Sequence, residues 1–191
     1  MSSPGVHCAL VHHPVRDRTG GVVTSAITNV DVHDLARSAR TYRLAGYWVV
    51  SPIAAQRLLV ERILDHWRNG AGARRVPERT RALAICSPAE SVGAVEAAIA
   101  EREGAAPELW VTAAKAPPGK ALVSWSEGRE RLAARTRPVL ILFGTAHGLH
   151  GTLTSRADVV LAPIEPGSDY NHLSVRAAAA ITLDRLRGDR A

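Results

Sequence analysis

The chain is poor in cysteine and lysine, and it has no long apolar run. Its two cysteines, Cys8 and Cys86, stand far apart. That spacing offers no metal-ligand set, no redox pair and no disulfide framework. Each belongs to an apolar stretch, so both are expected as buried free thiols in a reducing, cytoplasmic setting. No apolar run reaches the length of a membrane span, and no metal or membrane association is expected. The first residues, Met-Ser-Ser-Pro-Gly-Val-His, lack a basic region followed by a long apolar stretch, so no signal peptide is expected. Also missing is a glycine-rich phosphate loop of the P-loop or Rossmann type. Gly20-Gly21 reads as a turn. A conventional Rossmann methyltransferase would carry glycines after its first strand, where this chain has His12-His13-Pro14.

What is present is arginine. Lys and Arg number 24 against 18 Asp and Glu, a formal net charge of +6. Only Lys115 and Lys120 are lysines. Arginine is the better bidentate partner for phosphate, and the excess suits a polyanion such as RNA. An arginine- and alanine-rich composition would give the same balance, so charge alone does not choose between the two. Apolar residues make up 46% of the chain, which excludes disorder. Its 191 residues suffice for one α/β domain with its own core.

Short apolar runs alternate with amphipathic ones. Strands are expected at His7–Val11, Tyr47–Ser51, Ala82–Cys86, Leu109–Ala113, Pro138–Phe143 and Val159–Ile164. Continuous apolar runs of this length suit a parallel sheet covered on both faces. A helix is expected from Asp31, as N-cap with Asp34 completing a capping box, to about Arg43. A second is expected over Ala54–Arg68, placing Leu59, Ile63, His66 and Trp67 on one face, with Gly70 as a stop signal. Ser87 with Pro88 opens a third, and Ser126–Arg135 forms a fourth. The last starts near Asn171 and stacks Leu173, Ala177, Ala180 and Ile181. Asn69–Pro77 and Lys115–Lys120 read as loops. The alternation predicts an α/β parallel-sheet sandwich.

Three stretches can carry chemistry. The first, Thr28 to Arg40, crowds Asn29, Asp31, His33 and Asp34 at one helix start, with Arg37 and Arg40 one turn apart on one side. It reads equally as a capped surface helix with an Asp34–Arg37 ion pair. The second, Leu140 to Gly151, is a buried strand running into a loop with three glycines, which let a backbone approach a ligand closely. It also reads as an ordinary turn. The third runs from Leu161-Ala162-Pro163-Ile164 through Asn171-His172-Leu173-Ser174-Val175-Arg176. Asn171 or Ser174 can simply cap the helix that follows.

The order of these stretches resembles the three motifs of the SPOUT (α/β-knot) RNA methyltransferases, over essentially the whole chain. The strings Val11-His12-His13-Pro14-Val15, Thr28-Asn29-Val30-Asp31-Val32-His33-Asp34 and Asn171-His172-Leu173-Ser174-Val175-Arg176 are similar to a stand-alone bacterial family of SAM-dependent RNA methyltransferases. Against the superfamily's ribose 2′-O-methyltransferases, Arg37 falls on the catalytic arginine and Asp31 on an asparagine. Phe143-Gly144 matches the strand-to-glycine loop. Thr145-Ala146 replaces an Asn-Glu pair, and Ser174-Val175 matches a Ser-Val, with His172 on the preceding asparagine. The resemblance implies one SPOUT-type domain over residues 1–191, with a deep trefoil knot at about 138–188. It further implies a homodimer, and S-adenosyl-L-methionine held by Phe143, Gly144, Thr145, Gly148, Leu161, Ala162, Ile164 and Asn171 through Val175.

Methyl transfer from a sulfonium is an in-line displacement, so positioning supplies much of its rate. The resemblance implies catalytic roles for Arg37, Asp31, His33 and Asn29. Arginine is a poor base, which favours phosphate positioning for Arg37 and leaves Asp31, Asp34, His33 and His172 as proton acceptors. His12 and His13 also follow a strand and can face substrate. The RNA would be tRNA or rRNA, modified at a ribose 2′-O or a base. Selectivity would come from Arg74, Arg75, Arg79 and Arg81 with the Arg37–Arg43 face. The alternative, a SAM- or nucleotide-binding regulator without catalysis, rests on the Thr145-Ala146 departure.

Overall fold

The computed structural model describes residues 3–114, 117, 119–165, 167 and 170–189. In chain order come β1 (Val6–Val11), the short strands β2 (Val15–Arg16) and β3 (Val22–Val23), α1 (Asn29–Thr41), β4 (Gly46–Val50), α2 (Ala54–Arg68), α3 (Ala71–Arg75) and α4 (Pro77–Leu83). Then follow β5 (Cys86–Ala89), α5 (Val92–Glu103), β6 (Glu108–Val111), α6 (Trp125–Ala134), β7 (Val139–Gly144), α7 (Gly151–Ser155), β8 (Val159–Val160) and α8 (Val175–Arg187). Six strands form one parallel sheet in the order β5-β4-β1-β7-β6-β8, and β2 pairs antiparallel with β3.

Alternate residues of each central strand enter opposite layers, as a period of two requires. Cys8, Leu10, Val49, Ile141 and Phe143 face a core closed by Val32, Leu35 and Ala36 of α1, Val60 and Leu64 of α2, and Ala179, Leu183 and Leu186 of α8. Ala9, Val11, Val50, Leu140 and Leu142 face the other core, closed by Val92, Val95 and Ile99 of α5. Burial on both faces explains why these strands read as unbroken apolar runs; each buried Leu or Ile contributes on the order of 2 kcal/mol.

Several boundaries differ from the sequence expectation. The hydroxyl of Thr28 accepts from the Asp31 amide (3.2 Å), so Thr28 is the N-cap of α1 and Asp31 lies inside its first turn. Residues 77–83 are helical, with Pro77 in the first turn and Ala82 and Leu83 buried, so the strand starts later, at Cys86. Ser87 and Pro88 therefore lie in β5, and Ser91 caps α5 by accepting from Ala94 N (3.1 Å). Asn69–Pro77 contains α3. The α2 helix spans Ala54–Arg68 as expected but buries Val60 and Leu64, leaving Leu59 43% exposed. Helix α8 starts at Val175 and buries Ala179, Thr182, Leu183 and Leu186. The sixth strand is two residues long, extended by a bridge from Leu161 to Val123. Of the expected Lys115–Lys120 loop, residues 115, 116 and 118 lie outside the described residues.

All six strands point the same way, so their carboxyl ends share one edge. Strand β1 is followed by its neighbours β4 and β5 on one side and by β7, β6 and β8 on the other. Connections thus reverse direction between β1 and β7. In open α/β sheets the ligand crevice lies outside the carboxyl ends at such a point.

Candidate active site

At that switch point three chain segments are joined by hydroxyls and a histidine. The Thr145 hydroxyl after β7 donates to the carbonyl of Val11 at the end of β1 (3.0 Å). Its oxygen lies 2.5 Å from Ser25 Oγ, which lies 2.9 Å from His12 Nδ1. Because Thr145 spends its proton on Val11, the consistent order is His12 Nδ1–H to Ser25, Ser25 O–H to Thr145, and Thr145 O–H to Val11. His12 is fully buried, and burial holds its pKa down at about 4, against the pull of Asp31. It is therefore neutral near pH 7. Its Nε2 has no hydrogen-bond partner among the described residues. Beside it, His13 Nδ1 and the Thr24 hydroxyl are 3.0 Å apart. Ser25 carries no sequence signal, whereas His12 and His13 were legible from their position after a strand.

The first stretch distributes its polar side chains around α1. Asp31 turns inward and is 6% exposed. It accepts from the Thr28 hydroxyl (2.6 Å) and from Arg176 Nη1 at the start of α8 (2.7 Å). Arg176 Nε also lies 3.6 Å from Asp34. The buried Tyr47 hydroxyl of β4 donates to the Asp31 carbonyl (3.4 Å). Asn29, His33 and Arg37, spaced four residues apart, form a stripe on another side of the helix. Asn29 and Arg37 are exposed, and Arg37 reaches Asp34 at 3.7 Å, the ion pair its i,i+3 spacing implied. His33 is buried; burial, and secondarily Arg79, lowers its pKa. The structure therefore separates Asp31 from the other three.

The second and third stretches flank the same edge of the sheet. Phe143 and Leu161 are buried in the core, so only their backbones are available to a ligand. Gly144 cannot be replaced without movement: an added Cβ would stand 2.5 Å from Leu149 N and 2.9 Å from Gly148 C. Gly148 has φ +97°, a conformation that favours glycine. Asn171 does not cap α8. Its amide donates to the carbonyls of Ala114 (2.8 Å) and Glu165 (3.1 Å), lacing the segments after β6 and β8 together. Ser174 is the cap, accepting from Ala177 N (3.2 Å). His172 and Leu173 are exposed, Ala162 and Ile164 partly so, and Val175 packs against the core. Arg176, quoted in the third stretch without a role, proves to be the link between the first and third stretches. Its partner could not be read from residues 145 positions apart.

A family profile described as SAM-dependent RNA methyltransferase matches residues 5–188. The chain belongs to that family. Its cofactor is S-adenosyl-L-methionine. A curated relative from Oleidesulfovibrio alaskensis, a "tRNA (guanine-N(1)-)-methyltransferase", is 40% identical over 96% of this chain but only 42% of its own length. The chain thus spans about two-fifths of that relative and of a second with the same name. An uncharacterised protein of Aquifex aeolicus is 37% identical over 97% of this chain and 90% of its own length.

The fold of this SAM-dependent RNA methyltransferase family member is shared by solved structures. A probable methylase family protein from Haemophilus influenzae has a TM-score of 0.60 at 16% identity, covering 96% of this chain and 65% of the other. The SpoU methyltransferase AviRb from Streptomyces viridochromogenes has a TM-score of 0.56 at 18% identity, covering 97% and 60%. These likenesses support the SPOUT-type fold. Among the described residues no His, Cys, Asp and Glu group is placed to hold a metal, and no helix is long and apolar enough to cross a membrane.

Proposed function

We propose that the chain transfers the methyl group of S-adenosyl-L-methionine to a nucleotide of tRNA or rRNA, at a ribose 2′-hydroxyl or a base atom. The observation that carries this reading is the match of residues 5–188 to the SAM-dependent RNA methyltransferase profile; the Arg176 bridge to Asp31 joins the start of α8 to the start of α1. The cofactor side would be Phe143, Gly144, Thr145, Gly148, Leu161, Ala162 and Ile164, with Asn171 through Val175. These residues fit the cofactor: Gly144 and Gly148 keep a backbone loop tight, Asn171 holds the neighbouring segments together, and half-exposed Ala162 and Ile164 offer an apolar edge for a purine. The sulfonium supplies the methyl group as an electrophile.

The acceptor side would be Asn29, His33 and Arg37. Arg37 orients phosphate or ribose, while His33, whose pKa burial lowers, can take a proton. Asp31, spent on Thr28 and Arg176, braces the site. The tRNA guanine-N1 name belongs to proteins more than twice as long, so the acceptor atom is not carried across. The remaining proposals are that residues 1–191 act as one domain, that about 138–188 are knotted, and that two copies associate. The return of α8 onto α1 and α6, after β8 has reached the far edge of the sheet, supports the knot.

The test is incubation with methyl-labelled cofactor and bulk bacterial RNA, followed by mass spectrometry of nucleosides. Arg37→Ala should abolish transfer while the cofactor Kd is unchanged. A wild-type protein that binds cofactor but labels no RNA would overturn the function, and full turnover by the variant would overturn the role of Arg37.

A further inference from the structure

A groove of about 600 Å³ runs along the outer side of α1, walled by α2 and α4. Asn29, His33 and Asp34 form one wall, the Asp34 carboxylate being within ion-pair distance of Arg37 and Arg176; Arg62, His66, Trp67 and Arg79 form the rest with their neighbours. Its rings are concentrated. Trp67 meets His33 edge-on at 5.5 Å and His66 edge-on at 5.6 Å. The Arg79 guanidinium lies over the same indole, 5.4 Å from its centroid. The backbone of α3 presses on Trp67 at Gly72, where an added Cβ would stand 2.7 Å from the ring. The indole is thus a held floor with a guanidinium at cation–π distance over it.

Two further observations describe what the groove wants. Arg62 and Arg79 have no carboxylate within ion-pair distance among the described residues, nor do Arg74, Arg75 and Arg81 on the adjoining helices. Free cations beside rings call for an anion attached to a flat group. His33 is 8% exposed, and its Nδ1 has no hydrogen-bond partner among the described residues. Such a buried polar atom normally has one.

We propose that this groove is a nucleotide subsite for the RNA substrate. It holds an unstacked base against the Arg79–Trp67 cation–π pair, and its phosphates lie on Arg62 and Arg79. Bases of single-stranded or splayed RNA stack on aromatic rings and on guanidinium planes alike. Asn29 and His33 are shared with the acceptor stripe of α1, so the held nucleotide is one flanking the methylated position. The inference rests on the RNA methyltransferase reading above and adds the α2–α4 side of the site to it.

The test measures steady-state methylation and filter binding with bulk tRNA as the probe, using Arg62→Glu, Arg79→Glu and the double variant. Arg131→Glu, which makes the same charge reversal at a remote ion pair, is the control. Expected is a rise of about tenfold in KM and Kd for RNA per groove variant. The cofactor Kd and the oligomeric state should be unchanged. A shallower salt dependence of RNA binding in the double variant would support phosphate contact. The subsite is overturned if the groove variants match wild type, or if Arg131→Glu weakens RNA binding equally. It is also overturned if the groove variants change the oligomeric state, which would make the groove a contact between copies of this chain. A wild-type protein that methylates normally while the variants show no effect removes the subsite alone. A wild-type protein that neither binds nor methylates RNA removes the methyltransferase reading with it.

Discussion

Replacing Arg176 with Met should reveal how much of the molecule's order depends on one bridge between α1 and α8. The guanidinium reaches Asp31 at 2.7 Å, where the Asp31 side chain is 9% exposed and that of Arg176 is 38% exposed. Met keeps the apolar stem and removes the charge. Asp31 would then retain the Thr28 hydroxyl and lose its charged partner. A hydrogen bond between charged groups contributes about 1.5–3 kcal/mol, and an orphaned buried carboxylate can cost more. Water reaches Arg176, so the lower half of that range applies, about 2 kcal/mol. Asp31→Asn keeps an acceptor for Thr28 and should lose a similar amount. The double variant should lose less than the sum, with a coupling of about 1 kcal/mol or more. Urea denaturation of the four proteins measures this. Turnover should fall in both single variants beyond what their stability explains, because the two halves of the site are no longer held in register. A coupling near zero, or normal turnover in both single variants, would refute the bridge as the joint between them.

Acidification should destabilise the fold through His12. Its folded pKa lies near 4 and its unfolded value near 6.5, so the unfolded chain binds more protons between those values and stability falls as pH drops through that window. Between pH 7.5 and 5.0 the loss from His12 should be about 2 kcal/mol. His12→Asn should show a smaller loss over that interval, and an identical pH slope in the variant would refute the assignment. Gly144→Ala should cost about 2 kcal/mol and weaken cofactor binding, because the added Cβ meets the backbone of Gly148 and Leu149; thermal melts and titration calorimetry check both. Burial raises the Cys8 and Cys86 thiols, Cys86 to about 12. Both should therefore react with a disulfide reagent only at the rate of protein opening, and prompt reaction in the native state would contradict their burial.

The sheet was legible because its strands are buried on both faces and leave unbroken apolar runs. Helix starts were less so. Thr28, Asn29 and Asp31 are all good cap residues, and sequence alone does not say which hydroxyl or carboxylate meets which amide. Burial of Asp31 against Arg176 is a long-range fact that a local pattern cannot hold. The same limit explains residues 82–86. Their apolar run is as suitable for a helix end as for a strand, and burial of Ala82 and Leu83 on the inner side of α4 settles it. Ser25 was invisible because its partners, His12 and Thr145, meet it only after the strands pair.

The polar residues at the start of α1 therefore do two separable things. Their close spacing in sequence suggested a single cluster, but a helix turns about 100° per residue and sends neighbours to different sides. Asp31 accepts from Arg176, and Asp34 lies within ion-pair distance of the same guanidinium, so they set where the helix sits. Asn29, His33 and Arg37 look away from that bridge, toward open space and the groove beside Trp67. Thr145 stands apart from both, tied through Ser25 to His12 at the strand switch. The departure from the Asn-Glu pair at Thr145-Ala146 thus places a hydroxyl where it can close a hydrogen-bonded chain to β1. That chain ties the loop after β7 to the end of β1, and it does not involve Asn29, His33 or Arg37.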